Sequence, residues 1–429
     1  MINSLYIAQS GLNTSKYSVD ITSNNIANEN TEGYIKRVVN TSELSSLEDD
    51  IGNGVSFDGV YRTTSVYLYD KLLSQSSMAS YYEQENSILS NLEIMFSETE
   101  TSGLSTTLSS FFNSIESLRT DSSNLIYQNE LSTQAQNLVD GLQSLNEDIE
   151  DSFQTAIEQL QDQVESVNNL LEQIVYLNEQ IIQSSTASND LLDKRDTLEK
   201  ELSNYVDVEV DRTSDTYNLK IAGVNVIFNN TNLHEVSIDA DFSDLDNLNT
   251  SLMIYNNKLN LSSGSLKSLK ENLTTQTSNI SSYKQSLDDF AKALVDYTTA
   301  NSNTSIFSGT NVSTLAFEEN NVSSLTDTDL ENLAQIQWDE DVSIGSTTTS
   351  FSEFYQNLLV TISSDVENNN FKLESQDSIV NSLETTYNNL TKVDQDQEMI
   401  NLLQYQAAYE ANAKVITAVD EMLQTLLNM

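Results

Sequence analysis

The chain of 429 residues has no cysteine, no proline and a single histidine, and 19 basic residues stand against 65 acidic ones. Without cysteine there is no disulfide, no thiolate nucleophile and no thiolate metal site. A lone histidine, His234, excludes a multi-histidine metal centre and leaves a Ser-His-Asp triad one candidate base. The absence of proline removes cis-prolyl turns, proline kinks and proline-rich linkers. No run of about 20 apolar residues occurs, so no membrane-spanning helix is expected. The start, MINSLYIAQSGLNTSKY, lacks the basic stretch and continuous apolar run of a cleavable secretory signal. On these grounds alone the chain reads as cytosolic. A net charge of −46 opposes binding to nucleic acid or to an anionic membrane, because both are negative. Phosphate-loop and dinucleotide fingerprints are missing, and the composition implies no cofactor.

What is present is polar and helical. Hydrophobic residues make up 38% of the chain, and Asn, Ser, Thr and Gln fill the gap. The acidic residues are dispersed, which reads as a solvated surface. If the chain packs against copies of itself, apolar stripes and screening salt must offset the repulsion. The clearest pattern runs from Leu131 through Leu138, Leu145, Phe153, Leu160, Val167 and Ile174 to Ile181, in steps of three and four. It predicts one helix over 128–183, roughly 80 Å long, with a stutter near 149–157. Gly141 inside it costs about 1 kcal/mol relative to Ala.

Residues 3–27 form a second amphipathic segment. Leu5, Leu12, Val19 and Ile26 recur every seven residues, Ala8 starts another row, and Ser15 and Thr22 weaken that row. Such a seam is too small to hold a lone helix in water. Gly33 ends it. Residues 34–75 read as extended, with YRTTSVYLY strand-like; helices are expected over 76–96, 104–119 (started by Ser102 and Gly103) and 190–203. Residues 204–262 carry strand alternation, a turn at TSDT (213–216) and a hairpin turn at Asn256–Asn257, and predict a small antiparallel β unit. Helix returns over 263–297, 351–388 and 395–429, with a loop-rich outer segment over 298–348, and the long helix over 128–183 is expected to pack against those near 263–297 and 351–388. The last helix has a broad face of small and apolar residues that includes Ala408, Ala411, Val415, Ala418 and Met422.

The expected fold is therefore mainly α. It is an elongated rod of long coiled-coil-like helices, with paired N- and C-terminal helices and a small antiparallel β unit in the middle. Domains are expected at 1–40 with 395–429, at 41–203 with 263–394, and at 204–262. The subunit-contact candidates are Leu5, Leu12, Val19, Ile26, Ala408, Ala411, Val415, Ala418 and Met422. Catalytic signals are thin. His234 in NLHEVSI reads as a surface or turn residue. Asp394, Asp396 and Glu398 read as a charged helix start rather than a calcium loop, because the glycine and the full ligand spacing are missing. Asp239, Asp241, Asp244 and Asp246 read as a solvated loop.

Three stretches carry a resemblance. Ala8, Ser10, Gly11, Leu12, then Asn24, Asn25, Ala27, Asn28, Thr31, Gly33 and Tyr34 fit the opening signature of flagellar rod, hook and hook-associated proteins. Tyr405, Gln406, Ala408, Tyr409, Ala411, Ala413 and Lys414 are similar to their common ending. VNNLLEQIVYLNEQI followed by NDLLDKRDTLEKELS resembles the hook-associated protein 1 family, junction proteins between hook and filament. Two departures stand out. Glu32 replaces the usual Pro of Asn-Thr-Pro-Gly-Tyr, and VDQDQE replaces the usual acidic entry to the last helix.

The resemblance implies a structural, non-enzymatic protein of the extracellular flagellum, secreted through the flagellar type III apparatus, which reverses the cytosolic reading. It implies self-association as a ring or helical layer. The implied partners are hook protein, a second junction protein (hook-associated protein 3) and an export chaperone, with no nucleic acid and no membrane insertion. Another axial protein, hook protein or flagellin-like, is the near alternative, although hook protein should have a long β-rich middle. A secreted hydrolase on an axial scaffold is the remote one, and it needs a metal motif that His234 alone cannot supply.

Overall fold

In the computed structural model, which describes residues 2–44, 52–98, 103–184, 188–212 and 216–428, two long helical layers carry everything else. Helix α1 (Ile2–Ala27) leads into the antiparallel hairpin β1 (Arg37–Glu43) and β2 (Val55–Arg62), in which Arg37 pairs with Arg62. Then come α2 (Val66–Met95), α3 (Leu104–Thr120), α4 (Leu125–Gln183) and α5 (Asn189–Tyr205). The TSDT turn and the Ser102 start signal fall largely outside the described residues.

The 59 residues of α4 form one helix about 90 Å long. Asn124 caps it, accepting the Ile126 N–H at 2.9 Å. The predicted seam is the buried one: Leu131, Leu138, Phe153, Leu160, Val167 and Ile174 are fully enclosed. Gly141 does not break the helix, and a Cβ there would meet the Leu104 side chain of α3 at 3.7 Å, an ordinary contact.

The β unit follows α5. Strands β3 (Val208–Asp211), β4 (Asn218–Ile221), β5 (Val224–Phe228) and β6 (Asn232–Leu233) form one antiparallel sheet. Strands β7 (Val236–Asp239), β8 (Ser251–Ile254) and β9 (Asn257–Lys258) form another. The hairpin turn lies at Tyr255–Asn256, one residue earlier than expected, with Tyr255 at φ 54°. Asn168 on α4 fixes this unit to the rod like an extra strand residue. Its amide donates to Val236 O at 2.9 Å and accepts the Val236 N–H at 2.8 Å.

Four expectations need correction. Val66–Tyr69 is helical rather than strand-like, because Ser65 caps α2 and Tyr69, Leu72 and Leu73 bury one helical face. The helix expected over 263–297 is two helices, α6 (Ser265–Asn272) and α7 (Asn279–Asn301). Their break is organised by Glu85 of α2. Its carboxylate accepts from Ser268 Oγ at 2.6 Å and from the amides of Asn272 and Asn279, both at 2.7 Å. Burial pushes this carboxyl above its ordinary range, against the pull of those three donors.

Residues 298–348 are not loop-rich. They hold the hairpins β10 (Phe307–Ser308) with β11 (Ala316–Phe317) and β12 (Ser343–Ile344) with β13 (Thr347–Thr348), and the helices α8 (Glu319–Val322) and α9 (Asp327–Gln335). Ile306, Phe307, Leu330 and Leu333 are buried in the rod core. The Asn, Ser and Thr residues that look like loop serve as caps, as in the Thr326–Asp329 capping box. Finally, α10 (Phe351–Thr391) packs on α2 rather than on α4. Its buried apolar row is interrupted after Val366, where Asn369 and Gln376 donate to the carbonyls of Tyr82 and Gln75 at 2.9 and 3.0 Å. The row resumes at Val380, Leu383 and Tyr387 against Tyr69, Leu72 and Leu73 of α2. The last helix, α11 (Gln395–Leu427), returns to pair with α1.

Leu160→Asp places a charge in the enclosed seam of α4, at a cost of about 3 kcal/mol or more. The purified variant should melt at a clearly lower temperature; an unchanged melting curve would contradict the enclosed seam.

Candidate assembly site

Helix α1 lies between α11 and the β1–β2 hairpin. Its most buried residues are Ala8, Ser15, Ser18, Thr22 and Asn25. The row expected to weaken the helix is therefore its contact face, while Leu5, Leu12, Val19 and Ile26 are only half-buried. Small hydroxyl residues can be buried here because they are satisfied within their own helix. Ser15 Oγ donates to Gly11 O at 2.8 Å, and Ser18 Oγ donates to Thr14 O at 3.0 Å. A Cβ on Gly11 would lie 2.8 Å from the Asn412 side chain, so α1 and α11 approach closely at that point. On the hairpin side, Tyr17 stacks on Phe57 with centroids 4.3 Å apart.

The two helices differ on their outer faces. Helix α1 shows mostly polar residues, among them Gln9, Asn13, Lys16 and Asp20. In α11 only Glu398 and Val419 are buried. Ala408, Ala411, Val415, Ala418 and Met422 are exposed, along with Ile400, Leu403 and Leu426.

Where both helices meet the rod, a buried polar knot joins them. Asn25 is 1% exposed and Glu398 2%. The Asn25 amide donates to Glu398 Oε2 at 2.9 Å and to Arg37 O at 2.8 Å, and it accepts from Arg37 N–H at 3.0 Å and Tyr34 O–H at 2.8 Å. Lys36 Nζ lies 3.0 Å from Glu398 Oε1. The Lys36 N–H reaches Thr391 O, at the end of α10, at 2.7 Å. Burial is the main reason that the Tyr34 hydroxyl is pushed up to about 12, so it remains a donor at neutral pH.

The turn feeding this knot is closed by Tyr34 N–H donating to Thr31 O at 3.2 Å. Gly33 at its third position has φ 75°, the signature of a type II turn. A Cβ there would lie 2.5 Å from Thr197 Oγ1, so glycine is required twice over. Glu32 occupies the second position, where proline is favoured.

Beneath the knot stands α5. Asp190, Asp193, Asp196 and Glu199 follow at steps of three, so each carboxylate is rotated by about 60° from the last and the set winds halfway round the helix. It therefore reaches three elements. Arg37 pairs with Asp190 and with Asp193 (3.2 Å), and Arg62 pairs with Asp193 (2.7 Å) and Asp196, which clamps the base of the hairpin. Arg212 links Glu199 to Asp70 of α2, at 3.1 Å from the latter. Tyr217 of the β unit donates to Glu199 at 2.9 Å, and Arg195 lies 4.3 Å over the Tyr217 ring. Four of the five arginines of the chain sit in this cluster. Burial holds the Asp193 carboxyl above its ordinary range, with Arg62 and Arg37 pulling it down.

Neither α5 nor Glu398 is legible as a node from apolar periodicity. The usable signals are the acidic step of three in DLLDKRDTLEKE and the rarity of arginine. Glu398 instead belongs with Asp394, which caps α11 through the Gln397 N–H at 3.0 Å, in a run expected only to start a helix. His234 is half-buried in the connection from β6 to β7, between the rings of Phe228 and Tyr255. Asp246 of the acidic loop pairs with Lys284 at 2.6 Å. Among the described residues no group of His, Asp and Glu could hold a metal ion, and no helix is long and apolar enough to cross a membrane.

This arrangement meets known proteins at the same residues. The model of the flagellar hook-associated protein FlgK helical domain matches residues 89–324, more than half of the chain. The chain belongs to the FlgK family of flagellar hook-associated proteins. Its ends match two further models, a flagella basal body rod protein over 5–34 and the C-terminal region of the flagellar basal body rod FlgEFG proteins over 386–429. Flagellar hook-associated protein 1 of Bacillus subtilis (strain 168) is 24% identical, over 99% of this chain and 97% of that one. Its counterpart from Salmonella typhimurium is 28% identical over 50% of this chain, and that match spans 40% of its own length. The flagellar hook junction protein FlgK of Burkholderia pseudomallei aligns in structure with a TM-score of 0.49 at 20% identity, over 56% of this chain and 46% of that one. Membership makes the chain a structural component of the hook–filament junction, part of the extracellular flagellum.

Two variants test the node and the turn. Arg62→Gln leaves Asp193 and Asp196 short of a partner in a buried site, at a cost of about 3 kcal/mol. Arg119→Gln, which removes an exposed pair with Glu116 and Glu331, should cost less than about 1 kcal/mol. Equal melting temperatures for the two would contradict the clamp. Glu32→Pro should stabilise the chain by about 0.4–1 kcal/mol, because proline suits this turn position and restricts the unfolded chain. A fall in melting temperature would mean that the turn is not type II.

Proposed function

We propose that the chain builds the hook–filament junction by self-assembly, with the α1–α11 pair of each copy packing against those of its neighbours in a tube wall. The observation that carries this reading is the uncovered apolar face of α11 beside the polar outer face of α1. A lone monomer has no use for exposed Ile400, Leu403, Val415, Met422 and Leu426 on one helix. The contact set is Ala408, Ala411, Val415, Ala418 and Met422 on α11, with the half-covered Leu5, Leu12, Val19 and Ile26 of α1 completing it. The assembling unit is 1–40 with 395–429, the rod is 41–203 with 263–394, and 204–262 is a β subdomain. Hook protein lies on one side and the second junction protein, hook-associated protein 3, on the other. The subunit is exported through the flagellar type III apparatus, with a chaperone holding α11 until assembly. At a net charge of −46, copies repel one another, so the apolar face and screening salt must offset that repulsion.

Ala411→Asp with Val415→Asp places two carboxylates in this contact, where desolvation costs several kcal/mol per charge. The double variant should be exported and keep the melting curve of the rod, yet fail to be retained at the hook tip, so that filament subunits leak into the medium. Leu12→Asp should behave similarly. Normal filaments carrying the double variant would show that this face is not a subunit contact.

A further inference from the structure

We infer that the rings of Phe228, His234 and Tyr255 form a stacking platform on the β unit, which binds a neutral sugar ring on the open face of Tyr255.

The three rings come from both sheets of the unit. Phe228 ends β5, His234 follows β6, and Tyr255 stands in the turn between β8 and β9. They form a row. Phe228 and His234 lie 5.1 Å apart and tilted by 56°, and His234 and Tyr255 lie 5.8 Å apart and nearly parallel, at 17°. Phe228 and His234 are half-buried, whereas Tyr255 is 75% exposed. One face of the Tyr255 ring is therefore backed by His234, and the other is open to solvent.

The backbone at this turn is strained. Tyr255 has φ 54°, a left-handed conformation that a bulky side chain rarely adopts. At 223, 229 and 230 the same unit gives left-handed positions to Gly and Asn. Asn256 and Asn257 follow Tyr255 directly, so residues better suited to that conformation stand beside it, yet the ring occupies the strained position. Exposed as it is, the ring adds little to the core. Strain that packing does not offset points to a ligand.

The open face and its surroundings select that ligand. Charge disfavours an anion, because the chain carries −46 and Glu235 adjoins His234. A cage of several ring faces would suit a quaternary cation, whereas here a single flat face is open. A pyranose with equatorial hydroxyls has an apolar face of axial C–H bonds that lies flat on such a ring. Its hydroxyls need donors and acceptors beside the ring, and an amide supplies both. Asn232, paired with Phe228, and Asn256, next to Tyr255, are exposed. Among the described residues no side-chain hydrogen bond engages either amide. The platform involves neither α1 nor α11, so it stands apart from the assembly reading.

A saturation-transfer NMR titration of the full-length chain with cellotetraose and with chitotetraose tests this. At least one of the two should bind, and Tyr255→Asn should weaken that binding about 10-fold. Asparagine suits the left-handed position, so this variant should melt no lower than the parent chain. Tyr255→Phe keeps the ring and should keep the binding. The platform is overturned if neither saccharide binds at millimolar concentration, if Tyr255→Asn binds as well as the parent, or if Tyr255→Phe does not bind. It is equally overturned if Tyr255→Asn melts clearly lower, because the strained ring would then serve the fold.

Discussion

Arg37, Arg62 and Arg212 from three other segments, with Arg195 of α5 itself, pair with carboxylates that wind around helix α5 and hold the base of the molecule together. The carboxylates of α5 are rotated step by step around its axis, so a single 17-residue helix faces the hairpin, α2 and the β unit in turn. Arginine suits this task better than lysine. Its planar fork binds two acceptors at fixed angles, as Arg62 does with Asp193 and Asp196. Pairs of this kind add little net stability over a packed apolar contact. What they supply is geometry. Elements that would otherwise meet through a few leucines are fixed in orientation, and the terminal helices inherit that orientation through Lys36 and Tyr34.

The apolar skeleton was legible in the sequence. The seam of α4, the existence of α1, α3, α5 and α11, and the place of the β unit all follow from spacing alone. The errors share one cause, which is that periodicity counts apolar residues and is blind to buried polar ones. Ser15 and Thr22 looked like defects and are the contact face of α1. Glu85 breaks what the leucines of 263–297 draw as one helix. Asn369 and Gln376 attach α10 to α2 across a gap between two apolar stretches of the helix. Caps made an ordered segment of 298–348, whose composition reads as loop. The family motif was recognisable at Asn25, Gly33 and Tyr34, but their roles needed coordinates, because Asn25 acts on Glu398, 373 residues away.

The terminal pair inverts the usual amphipathic rule. Its inner surface is made of small and polar side chains, and its outer α11 surface is made of methionine, leucine, isoleucine and alanine. A helix pair arranged this way is not a domain in its own right. It leaves the apolar face of α11 uncovered, whereas α4 buries its own seam within the rod.

The turn at Thr31–Tyr34 has a kinetic side. It is shaped by Gly33 alone, with Glu32 where a prolyl residue would otherwise stand, and the whole chain contains no prolyl bond. Prolyl isomerisation takes tens of seconds at room temperature, whereas a hairpin closes in about 1–10 μs. This turn therefore closes without any prolyl isomer to wait for, and so does every other turn of the chain.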